Sequence, residues 1–252
     1  MPKSFTSIEK AIDILCLFDL KNQELSARDV SSRLNIPLSS TYKYLDILLT
    51  KGFISKEPDT KKFSLGLTIY KMGNLAAAKI SFIDIALPHM KSLAGESGET
   101  VILTMINGWE ALCVEVVEST KIVKWTVRRG ASIPLHAGAS SKILLAYQGD
   151  SFVDEMAANK GLPKLNENTI TDPVKLKKDL KIIRDQGFAI SNSEVEAWSG
   201  AIAAPIFDHK GRLAAGLTLI GPPDKIFDGK SDTLIEMTRR SGEIISLELG
   251  YS

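Results

Sequence analysis

Apolar residues recur at helical spacing in the first part of the chain. Between positions 7 and 19 they form one stripe: Ile8, Ala11, Ile12, Leu15 and Phe18. We predict a helix over 7–19 with Ser7 as its N-terminal cap. In LSARDVSSRLN, Ser26 precedes Asp29 by three residues. This is the spacing of a capping box, and it predicts a short helix over 27–34.

A third helix is predicted from Pro37 to about Leu49, because proline suits a first turn and Lys51-Gly52 ends the pattern. The residues predicted to face inward are Leu38, Tyr42, Leu45 and Leu49, and those predicted to face outward are Ser39, Ser40, Lys43 and Tyr44. Small hydroxyl residues near a helix start allow close approach to DNA and donation to phosphates and base edges. The alternative is that these hydroxyls only cap the helix and face water.

The segment FISKEPDTKKFSL predicts two short strands around Pro58-Asp59-Thr60. Lys61 and Lys62 lie at the tip of this hairpin, and Lys56 lies nearby. A basic hairpin after a helix-turn-helix is a winged helix, and its tip is placed to reach backbone phosphates.

The rest of the chain predicts an α+β domain with an antiparallel sheet. LGLTIYKMGNLAAAKI predicts a linker helix, and 82–97 predicts another helix that ends near Gly98. Strands are predicted in TVILTMI, ALCVEVV, KWTVRRG, GFAIS, AIAAPIFD and RLAAGLTLIG, and helices in SSKILLAY, FVDEMAANK, DPVKLKKDLKIIRDQG and SDTLIEMTRRSGEIISLELG. We therefore expect three parts: a winged helix-turn-helix domain over 1–65, a linker helix over 66–80 and a second domain over 81–252.

The balance of basic and acidic residues differs between the first 80 residues and the rest of the chain. Residues 1–80 carry twelve Lys and Arg against eight Asp and Glu, whereas residues 81–252 carry nineteen against twenty-two. The first residues contain no long apolar run, and no stretch has the roughly 18 apolar residues of a membrane helix. We expect a cytoplasmic protein whose two cysteines, Cys16 and Cys113, are reduced and buried.

The chain resembles the IclR (isocitrate lyase regulator) family of bacterial transcription factors. The resemblance rests on four segments in the family's order: SARDVSSRLNIPLSSTYKYLDILLTKGFISK, KKFSLGLTIYKMGNLA, IPLHAGASSKILLA and DQGFAISNSEVEAWSGAIAAPIFDHKGRLAAGLTLIGP. It implies a repressor that binds a pseudo-palindromic double-stranded DNA operator as a homodimer or homotetramer. It also implies an effector-binding domain for a small organic acid that modulates operator binding.

The resemblance places the DNA surface on the third helix, its preceding helix and the wing. The residues implied are Ser26, Arg28, Ser39, Ser40, Thr41, Tyr42, Lys43, Tyr44, Lys61 and Lys62. Lys43 stands where the family often has Arg. Because lysine lacks the fork-shaped bidentate contact of arginine, we assign it to a phosphate.

The effector pocket implied by the resemblance lies between the HAGASSK loop and the last strands. Its residues here are Ser140, Ser141, Asn192, Trp198, Ser199, Ala201, Thr218 and Ile220, with Ser191 as the alternative to Asn192. Ser199-Gly200-Ala201 replaces a common Leu/Val-Arg-Cys pattern. The start of the helix near Ser141 would suit a carboxylate. Trp198 is either an apolar wall of this pocket or a core or interface tryptophan.

Two other classes of protein are alternatives. An enzyme of small-acid metabolism would need a catalytic constellation, but the S-x-x-K spacing before Lys142 fails and His89, His136 and His209 are scattered. Glu194 and Glu196 are expected in a solvated turn. We expect no metal or cofactor. A winged-helix module for protein docking is the second alternative, and its binding would not weaken steeply with salt.

Overall fold

The computed structural model describes residues 7–77, 82–119, 127–229 and 231–252. The chain divides into two compact units, Met1–Ser81 and Phe82–Ser252, which are described separately below. The predicted strand KWTVRRG spans residues 124–130, and its first three residues lie outside the described ranges.

Unit 1 is three helices, a two-stranded hairpin and a further helix. The elements are α1 (Ser7–Cys16), α2 (Ala27–Leu34), α3 (Leu38–Thr50), β1 (Ile54–Lys56), β2 (Phe63–Leu65) and α4 (Leu67–Ala77). Ser26 caps α2, and both reciprocal bonds of the capping box with Asp29 are present. Asn35 ends α2 in the left-handed conformation, with φ 50°, and so makes the tight turn into α3.

The buried face of α3 differs from the predicted one. The buried side chains are Thr41, Leu45 and Leu48, whereas Tyr42 is 51% exposed and Leu38 38% exposed. The prediction that Tyr42 and Leu38 face inward is therefore wrong. Since α3 packs against both α1 and α2, the direction of that packing selects the buried stripe among several apolar and hydroxyl positions.

The described part of unit 2 contains one six-stranded sheet with helices on both faces. Its helices are α5 (Phe82–Ser97), α6 (Ala139–Leu145), α7 (Asp150–Lys160), α8 (Pro173–Gln186), α9 (Pro223–Phe227) and α10 (Ser231–Glu248). Its strands are β3 (Thr100–Asn107), β4 (Glu110–Val117), β5 (Ser132–Pro134), β6 (Ala189–Asn192), β7 (Gly200–Phe207) and β8 (Leu213–Gly221). The order is β5-β4-β3-β8-β7-β6, with every neighbouring pair antiparallel. The expected α+β class with an antiparallel sheet is confirmed.

The alternation of strand residues builds two separate cores on this sheet. Ile102, Ala203 and Ile220 face one side, where they pack with α6, α7 and α8. Val101, Ile202 and Leu219 face the other side, where they pack with α5, α9 and α10. Gly216 lies beneath α6, and a Cβ there would come within 2.8 Å of Ile143. The small residue therefore allows α6 to lie directly on the strands.

Candidate DNA interface and effector site

The outer face of α3 carries side chains that are free to meet DNA. Ser39, Tyr42 and Lys43 are exposed, and Ser40 is half-buried. Thr41 does not belong with them, because it is fully buried and its hydroxyl lies 3.2 Å from the Pro37 carbonyl oxygen, to which it donates. The assignment of Thr41 to the DNA surface is corrected on this ground.

The wing places its lysines at an exposed turn between β1 and β2. Lys61 and Lys62 are exposed, and Lys61 has φ 58°, a left-handed conformation that closes the turn. The Lys62 ammonium is 3.9 Å from the Glu24 carboxylate, an exposed pair that leaves its charge available to a phosphate. The Lys56 ammonium lies 5.4 Å from the centre of the Phe63 ring.

The other residues of the expected DNA surface are divided between structural and exposed positions. The Ser26 hydroxyl is engaged in the capping box, and it donates to the Asp29 carboxylate at 2.7 Å. Arg28 is exposed on α2. Tyr44 is half-buried and packs against the core of unit 1, which explains an aromatic residue there without a DNA contact.

A buried ion pair lies at the start of α6, where the sequence indicated none. The Lys142 ammonium is 2.6 Å from a Glu194 carboxylate oxygen and 2.9 Å from Asp179. The second oxygen of Glu194 accepts the backbone N–H of Gly138 at 3.1 Å. Glu194 is 7% exposed, so the expected solvated turn is wrong for this residue. Because its carboxylate already uses the amide that precedes α6, the expected carboxylate site at that helix start is weakened.

Two hydroxyls of the expected effector residues are buried without partners. Ser141 and Thr218 are each 0% exposed, and neither hydroxyl has a hydrogen-bond partner among the described residues. Thr218 pairs with Ile102 and Ala203, so its side chain points to the face that α6 covers. The neighbouring Ser140 differs, since its carbonyl oxygen accepts from the Thr104 hydroxyl at 3.1 Å. An unpaired buried hydroxyl costs about 1–3 kcal/mol and requires a reason.

The strand register decides which of the remaining expected effector residues lie on the sheet face that α6 covers. Ala201 and Ile220 are paired neighbours and lie on the α6 face together with Thr218. Asn192 is exposed, and it alternates with Ser191, which pairs with Ala201. The assignment of Asn192 is therefore corrected: Ser191, which is 5% exposed, is the residue on the α6 face.

The turn between β6 and β7 holds the last two expected residues. Trp198 is 66% exposed, which contradicts a core tryptophan and the wall of a closed pocket and leaves an interface tryptophan as the remaining alternative. Ser199 is half-buried, and its carbonyl oxygen accepts the N–H of Ser193 at 2.8 Å. Ser193 has φ 56°, the backbone feature that forms this tight turn.

The two cysteines lie in different environments, one buried and one exposed. Burial raises the pKa of the Cys113 thiol to about 12, with the Glu115 charge adding to the rise. Cys16 is exposed, contrary to expectation.

Within the described ranges, no three His, Cys, Asp or Glu side chains cluster as metal ligands. No helix in the described part of the chain is long and apolar enough to cross a membrane.

Comparison with known proteins supplies the observation that decides the family. Residues 7–58 match the IclR helix-turn-helix domain, and residues 75–247 match the bacterial transcriptional regulator IclR C-terminal domain. The chain belongs to the IclR family. Like its relatives, it is a DNA-binding transcriptional regulator and not an enzyme.

Similarity to individual IclR-family proteins extends over nearly the whole chain. The transcriptional regulator KipR of Bacillus subtilis (strain 168) is 30% identical over 246 residues, which cover 98% of each chain. The transcriptional repressor AllR of Escherichia coli (strain K12) is 27% identical over 248 residues, covering 98% of this chain and 92% of AllR. A crystal structure of an IclR homolog from Microbacterium hydrocarbonoxydans, complexed with 4-hydroxybenzoate, has a TM-score of 0.83 at 24% identity, covering 97% of this chain and 99% of that chain.

Proposed function

We propose that this IclR-family chain is a cytoplasmic repressor that reads its operator with α3 and holds DNA phosphates with the wing. The observation that carries the proposal is the exposed polar face of α3, Ser39, Tyr42 and Lys43, in the same compact unit as the exposed wing lysines. Half or more of protein–DNA hydrogen bonds go to phosphate and sugar, so the lysines position the protein and the serines read bases.

Variants of α3 and of the wing separate base reading from phosphate contact. Lys43→Ala and Lys61→Ala should weaken binding to operator and to random duplex alike, and each should reduce the salt slope by about 0.9. Ser39→Ala should instead change the preference among sequences. Lys181→Ala, a lysine of unit 2 with the same charge change, is the control. Fluorescence anisotropy at several salt concentrations measures all four variants.

Two outcomes would contradict this assignment. If Lys43→Ala relaxed specificity at one base pair, the lysine would be a base-reading residue and not a phosphate contact. If the binding of the wild-type chain to duplex DNA did not weaken with salt, the winged helix would serve protein docking. The second outcome would overturn the proposed operator function as a whole.

The proposed effector site lies between α6 and the sheet face formed by Ser191, Ala201, Thr218 and Ile220. Its support is the pair of buried, unpartnered hydroxyls of Ser141 and Thr218, because a bound polar molecule would supply the missing bonds. The effector class we propose is a small organic acid. The IclR homolog complexed with 4-hydroxybenzoate supports aromatic acids as the first class to test.

A thermal-shift screen of keto acids, sugar acids and aromatic acids tests this site. A ligand present at 100 times its dissociation constant adds about 2.7 kcal/mol of stability. Thr218→Val should abolish the shift. Thr238→Val, which removes a buried hydroxyl bonded within α10, should retain it. If the shift survived Thr218→Val, the effector would bind elsewhere.

We further propose that the DNA-binding form is a two-fold oligomer joined through unit 1. Large apolar side chains are exposed on α1 and on α4: Ile8, Ile12, Leu67, Tyr70, Met72 and Leu75. Exposed apolar patches of this kind mark interaction surfaces. A two-fold dimer would present two copies of α3 to successive major grooves. Sedimentation of Leu75→Glu should show dissociation, with loss of operator binding.

Effector binding is proposed to change operator affinity by shifting the population of oligomer arrangements. The support is a DNA-binding unit joined in one chain to a second unit that carries the candidate site. Operator affinity is measured with and without a ligand from the screen. If every ligand that binds left operator affinity unchanged, this coupling would be refuted.

A further inference from the structure

A cavity of unit 2 lies at the tip of the β3–β4 hairpin and has a volume of about 440 Å3. Its lining residue His136 begins the HAGASSK segment that also carries Ser140 and Ser141, but the cavity does not include the strand residues of the proposed effector site. Thr218 pairs with Ile102 on β3, whereas the cavity is lined by Asn107, five residues further along the same strand. At about 3.3 Å per residue, Asn107 is roughly 16 Å along the strand from the partner of Thr218.

The walls of this cavity come from three segments that the sheet brings together. The N–H of Leu135 donates to the Trp109 carbonyl oxygen at 3.2 Å, which holds the hairpin tip beside the segment that contains His136. The end of α7 supplies the opposite wall with Met156 and Lys160. A volume of this size is in the range of small-molecule pockets.

The buried lining of the cavity combines apolar side chains with His136. The Trp109 ring lies 4.8 Å from the Phe152 ring, and Met156 is buried. His136 is 1% exposed, and its Nε2 is 2.9 Å from the Pro163 carbonyl oxygen. Nε2 must carry the proton to donate to that oxygen, so the neutral ring keeps Nδ1 as an acceptor. Burial lowers the pKa of His136, which favours this neutral form.

The rim carries two opposite charges that do not neutralise each other. Glu110 and Lys160 both line the cavity and both are exposed. Among the described residues, neither has an ion-pair partner within 4.0 Å. A ligand that satisfies one charge alone would leave the other uncompensated beside it, so the rim is complementary to a molecule that carries both signs.

We propose that this cavity binds a small zwitterionic amino acid with an apolar side chain. Its carboxylate faces Lys160, and its ammonium group faces Glu110 and the Nδ1 acceptor of His136. The apolar side chain packs on Trp109 and Met156. This is a ligand site in addition to the proposed effector site.

Calorimetric titration of the full chain tests the proposal. The probes are L-leucine, L-methionine and L-phenylalanine, with two matched analogues of phenylalanine: 3-phenylpropionate lacks the ammonium group, and phenethylamine lacks the carboxylate. We expect at least one amino acid to bind. We also expect each analogue to bind about tenfold more weakly than phenylalanine or worse, because each loses a charge-assisted hydrogen bond.

Variants locate the ligand. Lys160→Gln and Glu110→Gln should each weaken amino-acid binding about tenfold. Lys164→Gln and Glu155→Gln are exposed charge changes outside the cavity lining and should not weaken it. Melting temperatures of all variants verify folding.

Three outcomes would overturn the proposal. The first is that none of the three amino acids binds. The second is that 3-phenylpropionate binds as tightly as phenylalanine, which would make the cavity a simple anion site. The third is that Thr218→Val abolishes binding while Lys160→Gln and Glu110→Gln leave it intact, which would place the amino acid between α6 and the sheet.

Discussion

Replacement of Lys142 by methionine should destabilise unit 2 more than almost any other single charge removal. The Lys142 side chain is 3% exposed, and its ammonium group is the only cation within 4.0 Å of the Glu194 carboxylate among the described residues. Lys142→Met keeps a side chain of similar length but leaves that carboxylate buried, with the Gly138 N–H as its remaining described donor. An unpaired buried charge is far more costly than an unpaired exposed one.

The magnitude follows from the exposure of the three charged groups. Removal of one partner of a buried ion pair costs about 3–5 kcal/mol. Asp179 is different, because its side chain is 32% exposed and Lys142 keeps Glu194 when it is lost. Asp179→Asn should therefore cost no more than about 1 kcal/mol. At 2–4 °C per kcal/mol for a unit of this size, Lys142→Met should lower the melting temperature by roughly 6–20 °C.

Urea unfolding followed by circular dichroism measures these free energies. Lys181→Met is the matched control, since Lys181 forms an exposed pair with Asp185 on α8 and should change stability by less than about 0.5 kcal/mol. Lys142→Met combined with Glu194→Gln should recover part of the loss, because the buried charge is then gone. A cost of Lys142→Met below 1 kcal/mol, or one no larger than that of Asp179→Asn, would refute the reasoning.

Three further predictions concern local features. Ser26→Ala removes the capping box with Asp29 and should cost about 1 kcal/mol of stability in urea unfolding. Thr218→Val should leave the ligand-free protein as stable as the wild type or more so, because it replaces an unpaired buried hydroxyl with a methyl group. The Arg212 side chain holds the pKa of Asp208 at about 2, below its ordinary value of 3.8. The stability from this pair is complete above pH 4 and is lost as the pH falls towards 2, so Asp208→Asn should flatten the melting temperature over that range.

Features that depend on neighbours within four residues could be read from the chain alone. The capping box at Ser26 and the helix over 27–34 appear as predicted, since both partners lie in one turn. The helix Phe82–Ser97 also has its predicted bounds, set by its own periodicity and by Gly98. The short elements β5 and α9 were missed, because three to five residues carry too little periodicity to recognise.

The candidate sites depended on contacts that no local pattern contains. Lys142 and Glu194 are separated by 52 positions in the chain. No local sequence pattern around either residue indicates that the two are paired. The choice between Asn192 and Ser191 was fixed by the pairing of β6 with β7, because a shift of one residue turns every side chain to the other face.

The sequence by itself determined most of the longer helices and strands, the capping box at the start of α2, and the family that their order indicates. Only the tertiary structure decided that Thr41 and not Tyr42 faces the core, which charges are buried together, and which hydroxyls lack partners. Secondary structure is set by bonds within a few residues and by a repeating pattern of polarity. Burial of a particular side chain depends instead on elements from distant parts of the chain, whose packing angle and register are decided by the whole core at once.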